Sequence, residues 1–234
     1  MAPDFHSTCL GRERLPAALS IPRHHHRHGY IAVVLAGGYQ EAGLAGRIQL
    51  KAGDVAVHGP FDAHLDHVGR GGADVLNLPL PPGARLPALY SIADPDAIAR
   101  TAERDPLAAV EALVPGPTLL AANDWPDRLA TAMSESADGP LRDWADRHGL
   151  AAETLSRGFR RAYGVTPARF RLEARARRAV HLIETTRLPL AAIAADCGFA
   201  DQPHLTRAVH WLTGRPPGHW RRSISFKTGS DAAR

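Results

Sequence analysis

A repeat with a spacing of fifty residues constrains this chain more than any other feature. Leu155-Ser156-Arg157-Gly158-Phe159, followed by Gly164, Pro167, Phe170 and Arg171, returns as Leu205-Thr206-Arg207-Ala208-Val209, followed by Gly214, Pro217, Trp220 and Arg221. Upstream, Ala145-Asp146-Arg147-His148-Gly149 matches Ala194-Ala195-Asp196-Cys197-Gly198, with one residue inserted before the second leucine. Self-similarity of this kind marks a supersecondary unit used twice.

Each copy spells helix, tight turn, helix. In the first, Pro140 suits the first helical position, where its missing N–H costs nothing. Leu141, Trp144, Ala145 and His148 then share one face. Gly149 ends the helix, because glycine takes the left-handed C′ conformation cheaply. A second helix turns Leu155, Phe159 and Ala162 inward and ends at Gly164. In the other copy Pro189 starts, Leu190, Ile193, Ala194 and Cys197 face in, and Gly198 stops; Leu205, Val209 and Leu212 follow as the buried set. Two short helices around a glycine turn describe a helix-turn-helix.

Between the copies, Thr166-Pro167 opens a longer helix to about Thr185, with Leu172, Ala176, Ala179 and Ile183 as its apolar stripe. Arg171, Arg175 and Arg178 form a basic stripe on the same helix. They read either as solvated surface or as phosphate contacts from a helix that spaces the two units.

Charge divides the chain at the same place. Residues 1–139 hold 11 Lys and Arg against 16 Asp and Glu, whereas residues 140–227 hold 16 against 7. A concentrated positive potential favours a polyanion, because neutralised phosphates release condensed counterions. The acidic half repels the same partner. Two cysteines, Cys9 and Cys197, exclude a disulfide framework and a four-cysteine zinc site. No apolar run approaches the roughly 20 residues that cross a bilayer, and the N-terminus lacks a secretory stretch, so a cytoplasmic location without membrane partners is expected.

Residues 140–222 resemble the DNA-binding domain of the AraC/XylS family of transcription regulators. The signature of that family's second unit is seen here as Ile193-Ala194 and Cys197-Gly198-Phe199-Ala200-Asp201-Gln202, then Leu205, Arg207, Gly214 and Pro217. The resemblance implies two recognition helices entering successive major grooves, with RNA polymerase as a partner. Outward residues of the first helix are Glu153, Ser156, Arg157 and Arg160; those of the second include Thr206, Arg207 and His210, with Gln202 beside them. Arginine bonds guanine O6 and N7 with two donors, so Arg157 and Arg207, which match family DNA contacts, are the leading base readers. Arg160 and Arg175 suit phosphate. Pro203, Val209 and Gly158 depart from the usual pattern, and Gly158 in mid-helix costs roughly 1 kcal/mol relative to alanine.

Eight of the thirteen histidines fall within the first 67 residues. Tyr30–Leu35, Ile48–Leu50, Val55–Val57, Leu65–Val68 and Val75–Leu80 read as short strands separated by glycine turns, the pattern of a β-barrel or jelly roll. With His24-x-His26, Tyr30, Gly37, Gly53-Asp54 and His64, residues 15–82 resemble the cupin fold, a usual sensor domain of AraC-like regulators. In metal-binding cupins the matching positions are two histidines, a glutamate and a further histidine; here they are His24, His26, Tyr30 and His64. Three imidazoles suit a divalent transition metal such as zinc, copper, iron or nickel. The lost carboxylate favours an organic effector instead, with His24, His26, Tyr30, Tyr39 and His64 as polar lining. His25 and His28 read as a solvated run.

The expected organisation is α+β with two domains: a cupin-like barrel at 1–82, a helical segment at 83–133, a linker at 134–139, a DNA-binding domain at 140–226 and a disordered tail at 227–234. Helices are expected from Pro95 to about Arg104, from Pro106 to about Leu113 and over Asp124–Met133. The resemblance implies that they pair two protomers into a homodimer. No catalytic residue is expected. The rival reading, a cupin-type metalloenzyme, leaves the fused basic helices unexplained.

Overall fold

The computed structural model describes residues 10–135 and 139–221. Cys9, the expected tail at 227–234, residues 222–226 of the expected DNA-binding domain, and residues 136–138 of the expected linker lie outside the described residues. The chain divides into two compact units. Among the described residues, one comprises 10–131 together with 157–165; the other comprises 132–135, 139–156 and 166–221.

The first unit is built on a seven-stranded antiparallel sheet: β1 (Gly11–Leu15), β2 (Ser20–His25), β3 (Tyr30–Gly43), β4 (Gly46–Lys51), β5 (Asp54–His58), β6 (Ala63–Pro79) and β7 (Leu89–Ser91). Its main path runs β1-β6-β3-β5-β7, with β2 on β6 and β4 on β3. Alternation along β3 explains its unbroken apolar run. Tyr30, Ala32 and Val34 pack into one cluster with Tyr39, Ile48, Leu50 and Val75. Ile31 and Val33 point the other way, into a cluster with Leu76, Leu78 and Tyr90. That second face is covered by α1 (Pro95–Ala102) and α2 (Pro106–Glu111) through Ile98, Ala109 and Val110. Both helices start at an aspartate followed by proline. The Asp94 carboxylate accepts from the Ala97 N–H at 2.8 Å, and that of Asp105 from the Leu107 N–H at 2.9 Å, satisfying donors that the first turn leaves open.

The structure corrects the strand reading in three places. The segments expected at 65–68 and 75–80 belong to one strand, β6, whose extra residues Gly69-Arg70-Gly71-Gly72 lie opposite the single β3 residue Gly38, between the pairs Tyr39–Val68 and Gly37–Ala73. The sheet does not end near residue 82: Leu89–Ser91 pairs with β5. Strands β1 and β2, whose burial is broken and whose sequence is polar, have no counterpart in the expected set.

Helix α3 (Trp125–Ser134) precedes the helical region, made of α4 (Leu141–Arg147), α5 (Ala152–Tyr163), α6 (Pro167–Thr185), α7 (Leu190–Asp196) and α8 (Gln202–Thr213). Pro140 and Pro189 stand one position earlier than expected, as N-caps rather than first helical residues. Gly149, Gly164, Gly198 and Gly214 all take positive φ, between 64° and 73°, the conformation the repeat reserves for glycine. Within the second unit, Phe170, Ala176, Ala179, Val180 and Ile183 bury the inner face of α6, and Ile193, Leu205, Val209 and Leu212 bury those of α7 and α8. The Arg169 guanidinium lies 3.5 Å over the Trp211 ring, fastening α6 to α8.

Candidate DNA-reading helices and a histidine pocket

The second helix of each copy keeps the spacing of the repeat. Helices α5 and α8 each contain twelve residues, and Arg157 and Arg207 are the sixth of each. Leu155 and Phe159 are buried in the first, Leu205 and Val209 in the second. That phasing leaves Arg157 and Arg207 exposed, together with Glu153 and Arg160 on α5 and Gln202 and His210 on α8. Ser156 and Thr206 are half-buried. The α8 start is fixed by Asp201, whose carboxylate accepts from the His204 N–H at 2.7 Å; Pro203 falls in the first turn, where a backbone donor is dispensable.

The basic stripe of α6 is not an open face. Arg175 donates to the Gly198 carbonyl at 2.8 Å and its guanidinium lies against Gly198. Arg178 pairs with Asp196 at 3.2 Å. Arg175 thereby satisfies a carbonyl at the α7 turn, a structural duty that the expectation of a phosphate contact did not include. Cys197, in the same turn, is buried, and burial pushes its thiol up to about 11, far from a reactive thiolate.

In the sheet unit, β2 and the residue after it, β3 and β6 bring His24, His26, Tyr30, Tyr39 and His64 into one pocket of about 130 Å³, joined by Glu41, Asp66 and Asn77. Ligating atoms of His24, His26 and His64 all lie within 4.8 Å of one another, and all three side chains are buried. The His24 Nδ1–H donates to the Pro22 carbonyl at 2.9 Å, since a carbonyl only accepts; this fixes the tautomer with Nε2 as the unprotonated ring nitrogen, the form a metal ligand takes. His64 shares a 3.2 Å hydrogen bond with the Tyr30 hydroxyl through Nε2, while its Nδ1 is buried without a partner. Burial, then the neighbouring His58, His24 and His26, hold His64 well below the usual histidine range. It is therefore a neutral imidazole, the form that binds a metal or accepts a hydrogen bond. This donor set fits a divalent transition ion.

The carboxylates that the motif lacks enter from elsewhere. Glu41 follows Tyr39 on the same face of β3, and Asp66 follows His64 on the same face of β6. Burial raises both, with Glu41 raised further by the Asp66 and Asp62 charges, and Asp66 reaches about 7. His58 lies 3.4 Å from Glu41. His25 is buried, facing Phe61 rather than solvent, because β2 pairs with β6 through Ala63 and His64; His28 is exposed as expected. Isolated acids in apolar strands carried no local signal beyond their period-two spacing from Tyr39 and His64.

The profile of the family described as "Helix-turn-helix domain" matches residues 144–223. The HTH-type transcriptional activator RhaR of Escherichia coli strain K12 is 28% identical over 103 residues, which cover 43% of this chain and 36% of RhaR. The chain thus spans about a third of the length of that relative. Among solved structures, the C-terminal domain of AraT, a response regulator from Geobacillus stearothermophilus, is 23% identical, with a TM-score of 0.40 over 42% of this chain and 84% of the other. ToxT from Vibrio cholerae is 8% identical, with a TM-score of 0.41 over 90% and 96% of the two chains.

Proposed function

Taking the chain as a member of the AraC/XylS family of DNA-binding transcription regulators, we propose that α5 and α8 are its two reading helices and that the histidine pocket senses an effector. The observation that carries the reading is the matched exposure of Arg157 and Arg207 at the same position of two glycine-terminated twelve-residue helices. Arg157 and Arg207 read bases; Glu153, Ser156, Gln202, Thr206 and His210 flank them, and Arg160 meets phosphate. The acidic sensor half leaves the basic half as the DNA-contacting one. Binding to a fragment of the chain's own promoter region, titrated at several salt concentrations, is expected to give a steep negative slope of log affinity against log salt. Salt-insensitive binding, or equal affinity for random duplex, would overturn the reading.

The effector class follows from the pocket. Three buried, mutually close imidazoles favour a divalent transition ion held by His24, His26 and His64. Glu41, Asp66, Asn77 and Tyr39 favour a small polar organic molecule as the second reading, since they offer hydrogen bonds in the same cavity. Metal analysis of the untagged protein is expected to find one ion per chain, lost in the His24→Ala/His64→Ala variant. Stoichiometry unchanged in that variant would exclude the site. Effector binding alters the affinity or geometry of DNA binding and thereby RNA polymerase recruitment, which requires the effector to prefer one of two states. Pairing of two copies through the α1–α2 region completes the proposal.

A further inference from the structure

The last two turns of α5 fold with the sheet and the start of α3, not with α4, α6, α7 and α8: residues 157–165 belong to the same compact unit as the described residues 10–131. Asp127, itself braced by Arg47, and Trp125 hold them. The Tyr163 hydroxyl donates to Asp127 Oδ1 at 2.7 Å. Arg47 of β4 grips the same carboxylate from the other side, Nε to Oδ1 at 2.9 Å and Nη2 to Oδ2 at 3.0 Å, and its Nη2 also reaches Asp124 at 2.6 Å. The Trp125 ring lies where a side chain on Gly158 would otherwise stand.

Tyr163 and Asp127 are buried, and the Arg47 side chain is only one-fifth exposed. Burial pulls Asp127 upward, but hydrogen bonds from Arg47, the Asp124 N–H and Tyr163 outweigh it and keep the carboxylate ionised below its ordinary range. The charge-assisted bond to Tyr163 is therefore a strong one.

The floor under this helix end is the back of the pocket. Arg23, next to His24, donates to the carbonyls of Ala42 at 3.3 Å and Tyr163 at 3.5 Å. Ala42 follows Glu41. Leu65, between His64 and Asp66, lies against Gly164. In β2 and β6 one residue faces the pocket and its neighbour, Arg23 or Leu65, meets the end of α5, while in β3 the Ala42 carbonyl beside Glu41 holds Arg23.

We propose that Arg47, Asp127 and Trp125 are positioning residues for the first DNA-reading helix. They fix the direction in which Arg157 is presented and tie it to the strands that line the pocket. This rests on the reading of α5 as a DNA-reading helix. The Gly158 departure then has a cause: the glycine weakens the helix locally but admits the indole that seats it.

The test uses the full chain and two conservative variants, Tyr163→Phe and Asp127→Asn, each made alone and with Arg157→Ala or Arg207→Ala. Amide exchange at 157–165 is expected to accelerate roughly ten- to a hundredfold in Tyr163→Phe, the loss of one hydrogen bond to a charged acceptor. Base discrimination by Arg157 is expected to fall in both variants, so that each is non-additive with Arg157→Ala and additive with Arg207→Ala. Unchanged exchange overturns the proposal, as does additivity with both arginines. If Arg157→Ala leaves DNA binding untouched while exchange accelerates, α5 is not a reading helix, and the positioning role falls together with that reading. Gly158→Ala gives an independent check. Helix propensity alone makes it stabilising, whereas the seated indole makes it destabilising and accelerates the same amides; a slower exchange overturns the seat.

Discussion

Phe170→Ala is expected to lower stability by about 3–5 kcal/mol, read by chemical denaturation of the full chain, because it removes a side chain with no exposed surface from the start of α6. Its partner in the repeat gives a smaller loss. Trp220 is only half-buried, and its Nε1–H donates to the Thr213 hydroxyl at 3.0 Å. Trp220→Ala therefore sacrifices part of a ring and one hydrogen bond, about 1–2 kcal/mol together. The two copies share a pattern but not a load. Equal losses would mean that the helical core is organised differently around α6.

Arg207→Ala is expected to reduce affinity for the preferred site by about 1–3 kcal/mol, roughly five- to 150-fold, with preference relaxed at one base pair. Arg160→Ala is expected to weaken all sequences alike and to reduce the salt slope by about one. A panel of single-base-pair variants of the site, measured with each protein variant, separates the two outcomes. Uniform loss from Arg207→Ala would sink its assignment as a base reader.

The helical half was legible because its determinants are local. Thr166-Pro167 fixes the start of α6 through a side chain that accepts from the Arg169 N–H at 3.3 Å, and the expected span to Thr185 matches the helix. Aspartate-proline pairs fixed α1 and α2 in the same way. In the sheet half the apolar hearts of β3 to β6 were legible, as at Tyr30–Val34 and Ile48–Leu50, but not their full lengths. β1 and β2 are partly exposed and polar, and their pairing with β6 depends on residues 38 or more positions away.

The pocket was legible in its histidines and silent in its acids. Glu41 and Asp66 resemble ordinary surface charges until β3 and β6 are laid side by side, where Glu41 faces Asp66 across the ladder. Tyr163 escaped for a related reason. The apolar stripe of α5 predicts Leu155, Phe159 and Ala162 as its inner face, yet Tyr163 is more deeply buried than Ala162 because Asp127 and Arg47 receive it. Tyr163 continues the i, i+4, i+8 row of Leu155 and Phe159, so the spacing turns it inward, but nothing within α5 names Asp127 and Arg47 as what receives it.

The pairing of Gly158 with Trp125 makes the two copies unequal as raw material for new specificities. In α8 the corresponding residue, Ala208, is buried and already carries a Cβ, so on the proposed reading its outward side chains can be exchanged one letter at a time to suit another operator. The same exercise on α5 must keep a hole for an indole contributed by a different part of the chain. If α5 and α8 read DNA as proposed, recoding what α8 reads is the easier step, and transplanting α5 without Trp125 is expected to carry over the letters but not the grammar.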